Sequence, residues 1–455
     1  MADRLESHPR SALLLRGGTI LTLDREASVQ AADLLVDNGV IESLAPGLEA
    51  PRGARVLDVS DCLVLPGLIQ GHVHLGQTIF RGLAERRRLL PWLRERIWPL
   101  EAGHDDESAY WCSLLGAAEC LLSGTTTVQD IGIGPGAAGL LRALEDSGLR
   151  AIAGKCLMDT GDELPDRLRE DTDATLAHTE ALGSRFHGAD NGRLNYVLNP
   201  RFILSCSDAL WSGLRDLSDA RGWPIHTHAL EQREETAAVR QLKGGRDEVE
   251  YFDETGILAQ RLCIAHGVQL EESHLSRVDG SRFSVVHCPS SNLKLGSGIA
   301  DLVGIRGAGV PVGLGADGAP CSNDLDALTE IRLAALLQHF KNGPASFSGL
   351  DAVRLATSEG AQALGLGERT GSLVEGHAAD VLVLERTRPE TWSRLADPHD
   401  LVAYSNSRAD VRHVIADGRL LVEDGRLLHL DLAEIRRRAD EALEAVLRRS
   451  GVELG

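Results

Sequence analysis

The middle of the chain, from about residue 65 to 369, alternates apolar runs with stretches of helical periodicity. The apolar runs, which predict strands, lie at 67–74, 124–131, 150–157, 193–199, 223–229, 261–267, 283–288 and 310–316. The amphipathic stretches between them include 106–122, 136–147, 208–221, 231–243 and 324–340. Eight strand–helix units of this kind predict an α/β fold, a (β/α)8 barrel of the TIM type. The alternative is a doubly wound open sheet, but the glycine-rich turn that usually follows its first strand is missing.

Both ends of the chain show a different pattern, in which short strands are separated by glycine turns. Asp37-Asn38-Gly39, between two apolar runs, is a hairpin signal. Similar strands are predicted at 379–384 and 411–422. We expect the two ends to pair into one small β-sandwich. The predicted units are therefore a composite β-sandwich domain from 1–64 and 370–430, the barrel at 65–369, and a C-terminal helix at 431–455.

Composition and charge narrow the class of protein. The 455 residues are 43% hydrophobic and 25% charged, which is ordinary for a soluble globular protein. The net charge of −20 argues against nucleic acid or an anionic membrane as a partner. The polar residues 1–8 contain no secretory segment, and no run approaches the ~20 apolar residues of a membrane span, so we expect a cytoplasmic protein. The eight cysteines include no Cys-x-x-Cys pair, which favours buried free thiols over a cysteine zinc site.

Two histidines end the first apolar run of the middle region. His72 and His74 are separated by one residue and follow Val64-Leu65-Pro66-Gly67-Leu68-Ile69-Gln70-Gly71. In a strand, residues i and i+2 point to the same face, so both imidazoles would project together. This spacing allows the two side chains to share one metal ion.

Other metal-capable residues lie where further predicted strands end. His226 and His228 come from the fifth strand, His266 ends the sixth, and Asp317 follows the eighth. The carboxyl ends of barrel strands meet at one mouth, whatever their separation in sequence. Neutral imidazoles with a carboxylate suit Zn²⁺, with Fe²⁺ and Mn²⁺ as alternatives. Each motif alone is common, so the hypothesis depends on the agreement of four strand ends.

These motifs resemble the amidohydrolase superfamily, in particular its branch of cytosine, guanine and adenosine-derivative deaminases and triazine hydrolases. The resemblance covers nearly the whole chain. The motifs that carry it are Leu65-Pro66-Gly67-Leu68-Ile69-Gln70-Gly71-His72-Val73-His74, His226-Thr227-His228-Ala229-Leu230-Glu231, Ala265-His266-Gly267, His287-Cys288-Pro289-Ser290-Ser291-Asn292 and Gly313-Leu314-Gly315-Ala316-Asp317-Gly318.

The resemblance implies a metal-dependent hydrolase that acts on C–N bonds in cyclic amidines. By this resemblance the metal ligands are His72, His74, His228 and Asp317, and His226 borders the site without ligating. Four protein ligands leave a position for water, whose pKa a zinc ion lowers toward ~7. The resulting metal-bound hydroxide attacks a ring carbon that bears an amino group, and ammonia leaves.

The resemblance also assigns the acid–base groups. Glu231 would protonate the ring nitrogen, and His266 and Asp317 would hold and deprotonate the attacking water. Binuclear relatives carry a modified lysine at the end of strand 4, where this chain has Leu198-Asn199-Pro200, so we favour one metal.

The segment from Gln77 to Glu101 resembles the subgroup that deaminates 5′-deoxyadenosine, methylthioadenosine and S-adenosylhomocysteine. The product would be the inosine derivative and ammonia. In that subgroup a Glu at the position of Glu101 accepts hydrogen bonds from ribose hydroxyls, and a Trp near Trp92 packs on the nucleoside. Further substrate-binding candidates are Lys155, Arg167, Arg201 and His287.

Departures from the subgroup keep other substrates open. Lys155 stands where those enzymes often carry Arg, and Arg201 stands near a position where His is common. The alternatives are a guanine, 8-oxoguanine or pterin deaminase and an s-triazine hydrolase. A ring-amide hydrolase would need two metals and a lysine, and a non-catalytic scaffold would have lost its ligands. Relatives are commonly oligomeric, so the expected partners are a small-molecule substrate and further copies of the chain.

Overall fold

The structure is a computed structural model that describes residues 10–161 and 163–452. The polar residues 1–8 lie outside the described residues. So do the beginning of the predicted range 1–64 and the end of the predicted range 431–455. The strands, in chain order, are β1 Leu13–Leu21, β2 Val29–Asp37, β3 Val40–Ala45, β4 Arg55–Asp58, β5 Cys62–Pro66, β6 Leu68–His74, β7 Thr125–Asp130, β8 Arg150–Ala153, β9 Cys156–Leu157, β10 Leu194–Tyr196, β11 Asn199–Pro200, β12 Ile225–Ala229, β13 Leu262–His266, β14 Phe283–His287, β15 Val312–Leu314, β16 Asp317–Gly318, β17 Val381–Glu385, β18 Val411–Ala416, β19 Arg419–Glu423 and β20 Arg426–Leu427.

Helices follow most of the middle strands. The main α-helices are Leu89–Trp92, Trp98–Ala102, Asp106–Leu122, Ala137–Ser147, Thr172–Phe186, Asp208–Arg221, Arg233–Leu242, Glu248–Glu254, Pro289–Lys294, Leu302–Gly307, Ala319–Ser322, Ala327–Asn342, Gly349–Leu355, Ser358–Ala363, Pro398–Tyr404 and Leu432–Ser450. A π-helical turn, Leu93–Ile97, joins the first two. None of the helices in the described ranges combines the length and the apolar content that a membrane crossing requires.

The strands from β6 to β16 form the predicted closed barrel. Neighbouring strands pair in parallel from β6 through β7 and β8 to β10, and from β12 to β15. A bridge between Leu198 and Ile225 joins the fourth strand to the fifth. The ring closes where Asp317 and Gly318 of β16 pair with Val73 and His74 of β6. This closure confirms the (β/α)8 barrel and excludes the open doubly wound sheet.

Strands from both chain ends form a single sheet. Its order is β20-β19-β18-β17-β5-β1-β2-β3, with β4 also pairing with β1. The two ends meet where β17 runs antiparallel to β5. The predicted hairpin between β2 and β3 turns at Asn38 and Gly39, whose φ values of 49° and 86° suit an Asn-Gly turn. Both ends of the chain thus build one β unit, while the domain boundaries at 64 and 370 stay a prediction.

A buried ion cluster fastens this sheet to the barrel. The guanidinium of Arg150, on β8, donates to both carboxylate oxygens of Asp380, at 2.8 and 3.3 Å. The same guanidinium donates to Asp417 at 3.0 Å, and Thr370 also donates to Asp380. The side chains of Arg150 and Asp380 are fully buried. Charges buried this deeply persist only when they are paired and hydrogen-bonded.

Replacing Asp380 with alanine is expected to lower the free energy of unfolding by about 3–5 kcal/mol, because Arg150 would keep a buried charge with one partner fewer. Urea unfolding measures the change. The control is Arg221→Ala, which removes a solvent-exposed pair with Glu180 and should leave the midpoint nearly unchanged. Equal midpoints for wild type and Asp380→Ala would contradict this role.

The C-terminal helix Leu432–Ser450 packs beside the barrel mouth. Its Val446 lies in an apolar cluster with Phe80 and Leu100. Near its end, Nε of Arg449 donates to the carbonyl of Gly103 at 2.6 Å. The helix therefore supports the chain segment that contains Glu101.

Candidate metal centre

Four side chains meet inside the mouth of the barrel. His72 and His74 lie at the end of β6, His228 lies in β12, and Asp317 begins β16. One ligand-capable atom from each lies within 4.8 Å of the others. The alternation of β6 explains why His72 and His74 face the same way. The structure thus brings together all four residues that the sequence predicts as ligands.

The distances within this cluster fit one divalent ion. Asp317 Oδ1 lies 3.3 Å from His72 Nε2 and 3.2 Å from His74 Nε2. His74 Nε2 lies 3.1 Å from His228 Nε2. Ligands held about 2.0–2.1 Å from a tetrahedral zinc ion would be about 3.3–3.4 Å apart. Imidazole nitrogens with one carboxylate are also a donor set that zinc accepts.

Asp317 is held as a carboxylate. Its burial opposes ionisation, but the adjacent imidazoles of His72 and His74 bring the pKa of Asp317 well below its usual value. Ser291 Oγ donates to Asp317 Oδ2 at 2.6 Å, which leaves Oδ1 directed at the imidazoles. Ser291 therefore helps to orient the carboxylate of Asp317.

Three residues at the mouth of the barrel have strained backbone conformations with positive φ. Leu230, His266 and Asp317 have φ values of 56°, 75° and 63°, in a region that side chains with a Cβ rarely adopt. Strain of this kind concentrates at functional sites. Gly315 also permits close packing, because a Cβ there would lie 2.4 Å from the carbonyl oxygen of His72.

Glu231 lies beside the cluster, just beyond β12. Its Oε1 accepts a hydrogen bond from Ser297 Oγ at 2.9 Å, and its Oε2 lies 3.5 Å from His266 Nε2. Burial raises the pKa of Glu231 well above its usual value, and the charges of Glu235 and Asp317 act in the same direction. Burial therefore favours the protonated form of the Glu231 carboxyl group.

His266, the last residue of β13, is neutral. Burial lowers its pKa to about 3. The side-chain amide of Asn292 lies 3.0 Å from His266 Nδ1 and fixes the ring, so that Nε2 faces Glu231. All three predicted acid–base residues, Glu231, His266 and Asp317, thus surround one point.

Comparison with known proteins identifies the family. A model of the amidohydrolase family matches residues 63–421. The chain belongs to the amidohydrolase family.

Three relatives of this amidohydrolase span nearly its whole length. A 5-methylthioadenosine/S-adenosylhomocysteine deaminase of Halobacterium salinarum is 34% identical, covering 96% of this chain and 99% of that protein. A 5′-deoxyadenosine deaminase of Methanothermobacter thermautotrophicus is 33% identical, covering 90% and 93%. The crystal structure of an adenosine deaminase from Xanthomonas campestris with bound zinc superimposes with a TM-score of 0.89, at 28% identity, covering 96% and 99%.

In the amidohydrolase, a buried ion pair lies beside the four candidate metal ligands. Arg201 donates to Glu101 Oε2 at 2.7 Å, and Gln77 donates to Glu101 Oε1 at 2.7 Å. The same amide of Gln77 lies 3.1 Å from His74 Nδ1. The structure therefore brings the predicted residues Glu101 and Arg201 into direct contact. It also joins Glu101 to the metal cluster through Gln77, a link that sequence spacing did not predict.

Four predicted substrate-binding residues, Glu101 among them, are not among the side chains that line the small cavity beside the four candidate ligands. Lys155 lies between β8 and β9, and its ammonium contacts Glu170 and Thr175. Arg167 is exposed and donates to the carbonyl of His104 at 2.9 Å. His287 ends β14 fully buried, and its ring nitrogens have no hydrogen-bond partner among the described residues.

A small cavity adjoins the four candidate ligands, and apolar side chains form an outer cover over part of it. The lining side chains are His74, Leu89, Trp92, Leu93, Arg201, Phe202, His228, Glu231, Glu235, His266, Leu295 and Asp317. Its volume of about 20 Å³ accommodates about one water molecule. The predicted Trp92 forms part of the cover, next to the π-helical turn Leu93–Ile97, a kind of irregularity often found at functional sites.

Proposed function

We propose that this amidohydrolase is a metal-dependent hydrolytic deaminase that converts a 5′-modified adenosine into the inosine derivative and ammonia. The observation that carries the proposal is the convergence of four ligand atoms beside the buried carboxyl group of Glu231. The names of the full-length relatives support the substrate class. We also keep the expectation that the chain forms a homo-oligomer.

We assign His72, His74, His228 and Asp317 to one divalent ion, with zinc first and Fe²⁺ or Mn²⁺ as alternatives. When bound, such an ion supplies a strong Lewis acid that activates water at neutral pH. Burial lowers the pKa of His72 to about 3, so its imidazole is neutral and can ligate. The fourth strand ends at Leu198-Asn199-Pro200 and offers no lysine to bridge a second ion. The side chain of Asn199 there donates to the carbonyl of Asp130.

The chain's own residues move the protons. Glu231 would donate its proton to the ring nitrogen next to the carbon that bears the amino group, which makes that carbon more electrophilic. His266 and Asp317 would orient the attacking water and accept its proton. The proton then passes to the amino group, which leaves as ammonia, while the remaining hydroxyl proton of the adduct returns to Glu231. General acid–base help of this kind contributes about 10²–10⁴-fold to the rate.

Glu101 and Trp92 would recognise the nucleoside. A carboxylate has about four acceptor sites, so Glu101 can accept from ribose hydroxyls in addition to Arg201 and Gln77. Trp92, Leu89 and Phe202 offer an apolar wall for the purine. Arg201 and Gln77 already contact both oxygens of Glu101, and this favours a second candidate whose substrate has no ribose. That candidate is a guanine, 8-oxoguanine or pterin deaminase. An s-triazine hydrolase is a further alternative.

Ammonia release from a panel of substrates tests the proposal. The zinc-loaded protein is incubated with 5′-deoxyadenosine, methylthioadenosine, S-adenosylhomocysteine, guanine, 8-oxoguanine, a pterin and melamine. We expect the highest kcat/KM for one of the three adenosine derivatives. Turnover of guanine or a pterin alone would support the second candidate, and turnover of none would contradict a deaminase.

Substrate entry is expected to displace the segment 89–102. The cavity accommodates about one water molecule, so a nucleoside fits only if Leu89, Trp92 and Leu93 move outward. Hydrogen–deuterium exchange with and without a slowly reacting adenosine analogue measures the change. We expect altered exchange in 89–102 and none in the helix Ala137–Ser147. Saturating analogue without any change in 89–102 would contradict this prediction.

A further inference from the structure

Three hydrogen-bonding groups connect β13 to the proposed metal site: the carbonyl of Cys263, the imidazole of His226 and the imidazole of His72. His226 Nδ1 lies 3.1 Å from the carbonyl oxygen of Cys263. His226 Nε2 lies 2.8 Å from His72 Nδ1. Both imidazoles are completely buried, so bulk water does not compete for these nitrogens. His226 comes from β12 and Cys263 from β13, which pair directly at these two residues.

The carbonyl of Cys263 determines the direction of these bonds. A carbonyl oxygen only accepts, so the proton of the first bond must be on His226 Nδ1. A neutral imidazole has one N–H, which leaves a lone pair on His226 Nε2. That lone pair accepts the proton carried by His72 Nδ1. The lone pair of His72 is then on Nε2, the atom that lies 3.3 Å from Asp317 Oδ1.

We propose that His226 is a positioning residue that fixes the tautomer and orientation of His72 for metal binding. The proposal rests on the proposed metal site. Ligating histidines generally donate their second N–H to such a partner, and loss of the partner typically costs about 10–100-fold in metal affinity. His228 has a backbone partner instead, the carbonyl of Arg201 at 2.7 Å. A substitution can therefore remove the partner of His72 but not that of His228.

Two variants at this position separate hydrogen bonding from packing. In His226→Gln the amide group reaches the place of Nε2, so its oxygen can accept from His72. In His226→Asn the shorter amide reaches the place of Nδ1 and loses contact with His72. We expect His226→Asn to weaken zinc binding by about 10–100-fold, and His226→Gln to remain close to wild type.

Zinc transfer to a chelator and the visible spectrum of the cobalt-substituted protein measure these effects. The spectrum should change in His226→Asn and stay like that of wild type in His226→Gln. Wild-type affinity and spectrum in both variants would overturn the proposal, and so would an equal loss in both. Urea unfolding checks that each variant is folded.

The unchanged protein provides a test that needs no variant. Neutron diffraction of zinc-loaded crystals should show deuterium on Nδ1 of both His72 and His226. Deuterium on His226 Nε2 would overturn the proposal. If the wild-type protein binds zinc at these four residues but releases no ammonia, the proposed function fails while the role of His226 stands. If these residues bind no metal, both fail.

Discussion

Replacing Glu231 with glutamine is expected to lower kcat for ammonia release by about 10²–10⁴-fold while the protein keeps its metal. Glutamine has the size of glutamate and can still accept the hydrogen bond from Ser297 Oγ. It has no acidic proton to deliver to the ring nitrogen. Because Glu231 is outside the four-residue cluster, the metal content should be unchanged.

The matched control for this variant is Glu234→Gln. Glu234 lies three residues further along, is exposed, and pairs with Arg88 on the surface. Its replacement makes the same change from carboxyl to amide at an exposed position and should leave kcat unaltered. Metal analysis and steady-state kinetics on both variants give the comparison. Wild-type kcat in Glu231→Gln would remove Glu231 from its assigned role.

Replacing Asp317 with asparagine is expected to abolish both metal retention and activity. Asp317 is the anionic member of the cluster, and its charge offsets that of the ion beside three neutral imidazoles. An amide keeps the shape but removes this charge. The loss in zinc affinity should exceed the ~10–100-fold that is typical for residues one step removed from the metal. Zinc content after dialysis and chelator competition measure it.

Asp279→Asn serves as the control for this second change. Asp279 is exposed, and its Oδ1 accepts from the backbone N–H of Ser281, a bond that asparagine can also make. This variant should retain wild-type zinc and activity. An Asp317→Asn protein with full zinc content would show that the metal is held elsewhere.

The sequence was sufficient to predict the barrel and the meeting of the four candidate ligands at its mouth, for one physical reason. Strand alternation and the meeting of strand ends act on the backbone, so the positions of His72, His74, His228 and Asp317 follow from local pattern and topology. Their side chains are short, which leaves few alternatives once the strands are placed. The role of Glu231 was predicted only from the family resemblance.

Long side chains could not be placed in this way. Lys155 is on the predicted third strand, but that strand is interrupted between Ala153 and Cys156, and its ammonium pairs with Glu170 instead. Arg201 and Glu101 are a hundred residues apart, and nothing local predicts that they pair. The partner of Glu231, Ser297, is in a loop with no periodic pattern. These contacts depend on rotamers and loop paths, which hydrophobic periodicity does not specify.

The central claim is that one metal ion is bound by His72, His74, His228 and Asp317 at the mouth of this barrel. X-ray diffraction from zinc-loaded crystals, measured on both sides of the zinc absorption edge, tests it most directly. We expect a single anomalous peak per chain, within about 2.0–2.2 Å of one atom from each of the four residues. Two adjacent peaks, or a peak that these residues do not contact, would contradict it.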